Sequence, residues 1–196
     1  MDIAIGEIAS IFFKLESTGN LILRRAARLI VETFNALNKL GVDPNIANQY
    51  EILCLPENIE NQADQLADSG ESVTLSKLLK EEGVKCANSY DLGLDTKIAE
   101  RRGVALWLGS IWVLNHAALP LLISVVGRLL GEKVQKQLNS ANQLEVSQTS
   151  ENSEETEVYA DLKIIDGKLS AEIKYNGDAN TFLTVLKGIH DDQQSS

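Results

Sequence analysis

Cysteine and histidine are scarce in this chain of 196 residues, which holds only Cys54, Cys86, His116 and His190 of those types. So few sulfur and imidazole groups exclude a disulfide-stapled scaffold and a Cys/His zinc site. Glycine-rich phosphate loops are missing too: there is no GxxxxGK[ST] and no GxGxxG after a strand-like run, which excludes the common nucleotide-cradling motifs. Positive charge is also short. Lys and Arg number 18 against 28 Asp and Glu, for a net charge of −10, and an acidic balance argues against phosphate-backbone binding. The N-terminus lacks a basic n-region, since Asp2 and Glu7 stand there, so no secretory signal is expected.

What is present is an apolar fraction of 44%, enough for a real core in one domain with a small appended module. The charge is unevenly spread. Residues 1–48 are neutral, 49–100 carry −7, 101–140 carry +4 and 141–196 carry −7. The one basic block is also the most apolar stretch: residues 103–127 contain no Lys, Arg, Asp or Glu. A bilayer core needs about 20 mostly apolar residues, so length admits a transmembrane helix here, flanked by Arg101, Arg102, Arg128, Lys133 and Lys136. Trp107 and Trp112 would then serve as interfacial anchors, and Gly127 and Gly131 fit a GxxxG spacing. Asn115, His116 and Pro120 oppose this: polar groups are expensive at mid-membrane, and proline splits the run into two segments of core-helix length. Two readings of 103–131 therefore stand, an inserted segment and a pair of buried core helices.

Elsewhere, Asp2 reads as the N-cap of a helix to about Leu15, and a second helix runs from Leu21 to Leu40 and stops at Gly41, its Arg24, Arg25 and Arg28 forming a solvated face. Tyr50–Leu55 reads as a buried strand or a last helical turn. Pro56 suits the start of a helix carrying Ile59, Ala63 and Leu66 on one face. Thr74 caps a short helix closed by Gly83, Val84–Ala87 forms a second short strand, and Asp95 or Thr96 starts the next helix. Residues 139–156 are polar, acidic and without periodicity, hence a linker.

Beyond that linker the pattern is sharpest. Asp166-Gly167 is a hairpin signal between two alternating runs. A two-residue loop there pairs Ile164 with Leu169, Leu162 with Ala171, Ala160 with Ile173 and Val158 with Tyr175, all apolar and on one face. Tyr159, Asp161, Lys163, Ser170, Glu172 and Lys174 occupy the other. Asp178 or Asn180 then caps a helix whose apolar face is Phe182, Leu183, Leu186 and Ile189. Such a ββα unit is too small to stand alone, so it docks on the body, dimerises or receives a strand at a hairpin edge. Its interaction residues are expected to be Tyr159, Asp161, Lys163, Glu172, Lys174 and Phe182. Deletion of 157–196 is expected to leave the body folded.

Catalytic chemistry is weakly signalled. Both cysteines sit in apolar runs, where a thiol packs as a small hydrophobe. Asp91, Asp95 and Glu100 would approach a divalent metal but show no EF-hand spacing. The expected fold class is α+β: a mainly helical body over 1–138 with a long apolar helical segment, the linker, the ββα module over 157–190 and a tail over 191–196. The expected function is a non-enzymatic, membrane-associated protein, located at a membrane or in the cytoplasm, whose C-terminal module binds a protein partner or drives self-association. That layout suits a small effector or accessory factor of a bacterial stress or defence system. Two alternatives are a soluble α+β adaptor and a small metal-dependent hydrolase. No cofactor, no metal and no nucleic acid partner are expected.

Overall fold

A computed structural model describes residues 35–60, 65–100, 106–143, 157–166 and 169–194. Its centre is a five-stranded mixed sheet built from β1 (Ile52–Leu55), β3 (Cys86–Asn88), β5 (Leu106–Val113), β6 (Glu157–Asp166) and β7 (Leu169–Asp178), in the order β3-β1-β5-β6-β7. A separate parallel pair joins β2 (Leu66–Ser69) and β4 (Thr96–Ala99). The helices are α1 (Pro44–Ala47), α2 (Gly70–Glu81), α3 (Leu119–Gln143) and α4 (Ala179–Gln194).

The expected helical body with a long apolar helix is overturned: the molecule is mixed α/β, and the uncharged window is divided among elements. Residues 106–113 form β5, paired with β1 along one edge and β6 along the other, and buried along its whole length because hydrophobic clusters cover both of its faces. A strand covered on both faces reads as a continuous apolar run, which periodicity alone does not distinguish from a helix. No described helix is long and apolar enough to cross a membrane. Trp107 and Trp112 are buried in β5 rather than placed as interfacial anchors. Asn115 leaves the strand, accepts from the Ala117 N–H and starts the 3-10 turn His116–Ala118. Pro120 falls in the first turn of α3, where its missing N–H leaves no hydrogen bond unmade. Two of the basic residues after the window are used in ion pairs with the α2 region, Arg128 with Glu82 at 3.0 Å and Lys133 with Glu71 at 2.5 Å.

Helices α2, α3 and α4 cover one face of the sheet. Their core joins Leu75, Leu79, Leu122, Val126, Phe182 and Leu186 to the strand residues Ile52, Cys54, Ile111 and Leu162. The opposite face is covered over β1 and β3 by Leu37, Val42, Ile59, Leu66 and Leu94, packed on Leu53, Leu55 and Trp112. In β5 the helix-facing residues are Leu106 and Leu108, then Ile111 and Val113, so the alternation skips a step. The extra residue is a bulge between Trp107 and Ser110, at which Gly109 adopts φ +67°.

Several local readings shift. Gly41, at φ +81°, closes the helical residues 35–39 as expected, with the Val42 N–H donating to Leu37 O and the Gly41 N–H to Asn38 O. The earlier parts of that helix, and the helix expected from Asp2, lie outside the described residues. Pro56 begins a turn over 57–60 rather than a helix, and Leu66 belongs to β2. The cap of α2 is Ser69, whose hydroxyl accepts from the Ser72 N–H, five residues before Thr74. Thr96 opens β4, not a helix. Helix α3 continues to Gln143, into the stretch that composition assigns to the linker.

Candidate functional site

The C-terminal ββα unit is built as a hairpin and helix, and it is continuous with the body. β6 runs parallel to β5, pairing Ile111 with Leu162 and Val113 with Ile164, so the partner strand that the hairpin needs comes from its own chain. The hairpin register is displaced by two residues from expectation: Ile164 faces Ala171, Leu162 faces Ile173 and Ala160 faces Tyr175. A shift of two preserves every face, whereas a shift of one would have turned the apolar set to the polar side. Asp178 caps α4, its Oδ1 accepting from the Thr181 N–H at 2.9 Å, and the Thr181 hydroxyl first, with this N–H second, holds the carboxyl below its ordinary pKa. Phe182 is buried beneath the hairpin, its ring centroid 5.0 Å from that of Tyr175, as a core contact between α4 and β7.

The helix-free face of β6 and β7 carries the charged cluster. Asp161 is directly opposite Lys174, and Lys163 opposite Glu172. The sequence pattern places these four on one polar face, and the structure brings them together, but it buries Asp161 and Lys163. The side chain of Lys163 is 2% exposed and forms an ion pair with Glu60, a residue 103 positions earlier that the sequence pattern does not connect with it. The Trp112 ring lies beneath, 5.8 Å from Lys163 Nζ, and its indole N–H donates to Ser110 Oγ. Glu172 stands 3.8 Å from Lys163 and 3.6 Å from Lys174. Burial pushes the Asp161 carboxyl up, and Lys163 and Lys174 partly offset that; in return Asp161 raises Lys174. Asp161 Oδ1 has no hydrogen-bond partner. Tyr159 lies on the same face, opposite Trp107 of β5 and Asn176 of β7.

Among the described strands, β7 is the outermost of the sheet. All ten of its residues pair with β6 on one side, in one continuous register, and no described strand pairs with the other side. The opposite edge of the sheet, β3, is only three residues long. On the helix side of β7, Ala171, Ile173 and Tyr175 are packed against the core yet only half-buried. On the other side Glu172 and Lys174 are exposed.

Two further polar groupings lie inside the fold. At the amino end of α2, Asp68 is fully buried; its Oδ1 accepts from the Ser69 N–H, and its Oδ2 has no partner. Ser72 and Ser89 are also fully buried, with hydroxyls lacking partners, and burial raises the Asp68 pKa. Cys54 and Cys86 are free thiols with Sγ atoms 3.7 Å apart, on adjacent strands. Their contact raises the Cys54 pKa and lowers that of Cys86. The carboxylates considered for a metal do not assemble: Asp91 accepts from the Asn88 N–H and pairs with Lys80 at 2.6 Å. Among the described residues no group of three His, Cys, Asp or Glu side chains is placed to hold an ion. No protein-family model, no curated protein and no solved structure matches this chain, whose site is therefore known by its own geometry.

Proposed function

We propose that this chain is an interaction protein that binds a polypeptide by adding a strand to β7. The observation that carries the reading is the edge itself: ten residues in unbroken register, without proline, at the margin of the described sheet. A strand of that length presents about 33 Å of main chain. Protein sheets commonly blunt such an edge by shortening it, bulging it or placing proline in it. β7 has none of these three devices; its charged Glu172 and Lys174 guard one face against unselective pairing, while three half-buried apolar side chains line the other. Main-chain hydrogen bonds from an added strand would supply affinity, and the alternating side chains would supply selectivity. The chemistry is binding, and the charged residues on the helix-free face act as recognition elements.

The test is site-specific photo-cross-linking of the full chain in its own cells. A photoreactive residue replacing Lys174 is expected to capture a polypeptide, whereas one replacing the exposed Lys77 of α2 is not. Equal capture from the two positions, or none from position 174, would overturn the reading.

A further inference from the structure

We infer that the strand added to β7 is the β7 of a second copy of this chain, antiparallel and centred on Ile173; this rests on the edge reading above and names its partner. The charges select that arrangement. With Ile173 opposite the partner's Ile173, Glu172 lies opposite the partner's Lys174, and Lys174 opposite the partner's Glu172. Each copy already pairs Asp161 with Lys174 and Lys163 with Glu172 across β6 and β7. Across the junction one row therefore reads Asp161, Lys174, then the partner's Glu172 and the partner's Lys163. The second row is its twofold mate. Signs alternate through both rows of four strands, which is the arrangement that opposite-charge cross-strand pairs favour.

Neighbouring registers fail. Centring the pair on Glu172 sets glutamate against glutamate, and centring it on Lys174 sets lysine against lysine. A shift of one residue turns the partner over, so that its helices lie on the wrong face of the joined sheet. The apolar face agrees with the same centre. Ala171 meets the partner's Tyr175, a small residue against a large one, and Ile173 meets its own mate, so the half-buried row Ala171, Ile173 and Tyr175 becomes covered. The contact is isologous and closes as a twofold dimer with a continuous sheet of twice five strands. Exposed ion pairs add little affinity, but like-charge contacts exclude wrong registers, so here the charges set the pairing while main-chain bonds and apolar cover hold it.

The experiment is analytical ultracentrifugation of the full chain over a concentration series, on wild type, Glu172→Lys, Lys174→Glu and the two variants mixed. Wild type is expected to reach twice the 21.5 kDa of one chain. Each single variant opposes like charges twice and is expected to remain at one chain mass. Mixed, they restore opposite charges at both positions and are expected to form a heterodimer. A variant that loses its native circular dichroism is replaced by a second readout: Ile173→Cys, under mild oxidation, is expected to give a disulfide-linked dimer, and Ala171→Cys is not. A wild-type chain that stays monomeric at every concentration overturns the second copy as partner; the edge reading then stands or falls on cross-linking at position 174 to another polypeptide. A dimer indifferent to both charge reversals, with no link at position 173, uses another surface and overturns the proposal.

Discussion

Asp68 shows how a single carboxyl sets a pH response. It has no exposed surface, and its pKa is raised above the ordinary 3.8, chiefly by burial, with the Ser69 N–H that donates to its Oδ1 acting in the opposite direction. A carboxyl with a raised folded-state pKa favours the fold most when protonated. Its contribution is fully present below the unfolded value and is lost as pH rises through the raised one. Wild type should therefore lose stability from this group between acid and neutral pH, and Asp68→Asn should not. Urea unfolding at a series of pH values is expected to show the variant gaining on wild type as pH rises; parallel curves would mean that Asp68 ionises without penalty. The Glu60–Lys163 pair is a different case. Lys163 is its buried member, but Glu60 is 31% exposed and Glu172 stays 3.8 Å from Lys163, so removing Glu60 is expected to cost less than a fully buried pair would, about 3–5 kcal/mol. None of this was legible in sequence, since Glu60 and Lys163 are distant in the chain and only the turn after β1 brings them together.

At the scale of elements, β5 is the one whose nature the sequence obscured. Its apolar run resembles a membrane or core helix because both faces of the strand are buried and alternation is lost. The break is Gly109. A Cβ built there would lie 2.7 Å from Leu55 O, in addition to the positive φ. Gly109→Ala is thus expected to destabilise the fold by at least about 2 kcal/mol in urea unfolding, since left-handed backbone strain alone is of that order for a non-glycine residue. A loss under half of that would show that β1 and β5 can separate at the bulge. The hairpin was the most legible element. Its alternation fixed which residues share a face, and turn chemistry left the register open by two residues, a shift invisible to a pattern of period two. Capping was legible where the cap is local, as at Asp178 and Gly41. It was misread at Thr74 because Ser69 sits at the end of a short strand whose partner, β4, lies thirty residues away in sequence.

At the scale of the whole molecule, the C-terminal segment is part of the central sheet. Deleting 157–196 removes two of five strands and helix α4, and uncovers Ile111 and Val113 on β5 together with the inner face of α3. The expectation that the body survives this truncation is reversed: a chain ending at 156 is expected to lose its cooperative thermal transition and to bind a hydrophobic dye. A sharp transition in the truncated chain would show that β1, β3 and β5 suffice with α2 and α3. The acidic stretch before β6 marks a change in composition, yet the elements on its two sides join one sheet.

The sequence by itself determined the shortage of metal- and phosphate-binding motifs, the two faces of the β6–β7 hairpin, the apolar face of α4 and the helix stops at Gly41 and Gly83. These are properties of neighbours, set by periods of two and of 3.6 and by glycine's access to positive φ. The tertiary structure alone decided that residues 106–113 are a strand, that Lys163 meets Glu60, that the two thiols lie side by side and that β7 is the outermost described strand of the sheet. Those outcomes depend on which strand lies beside which. Burial on both faces erases the alternation that would announce a strand, and contacts between distant residues leave no local trace for sequence to carry.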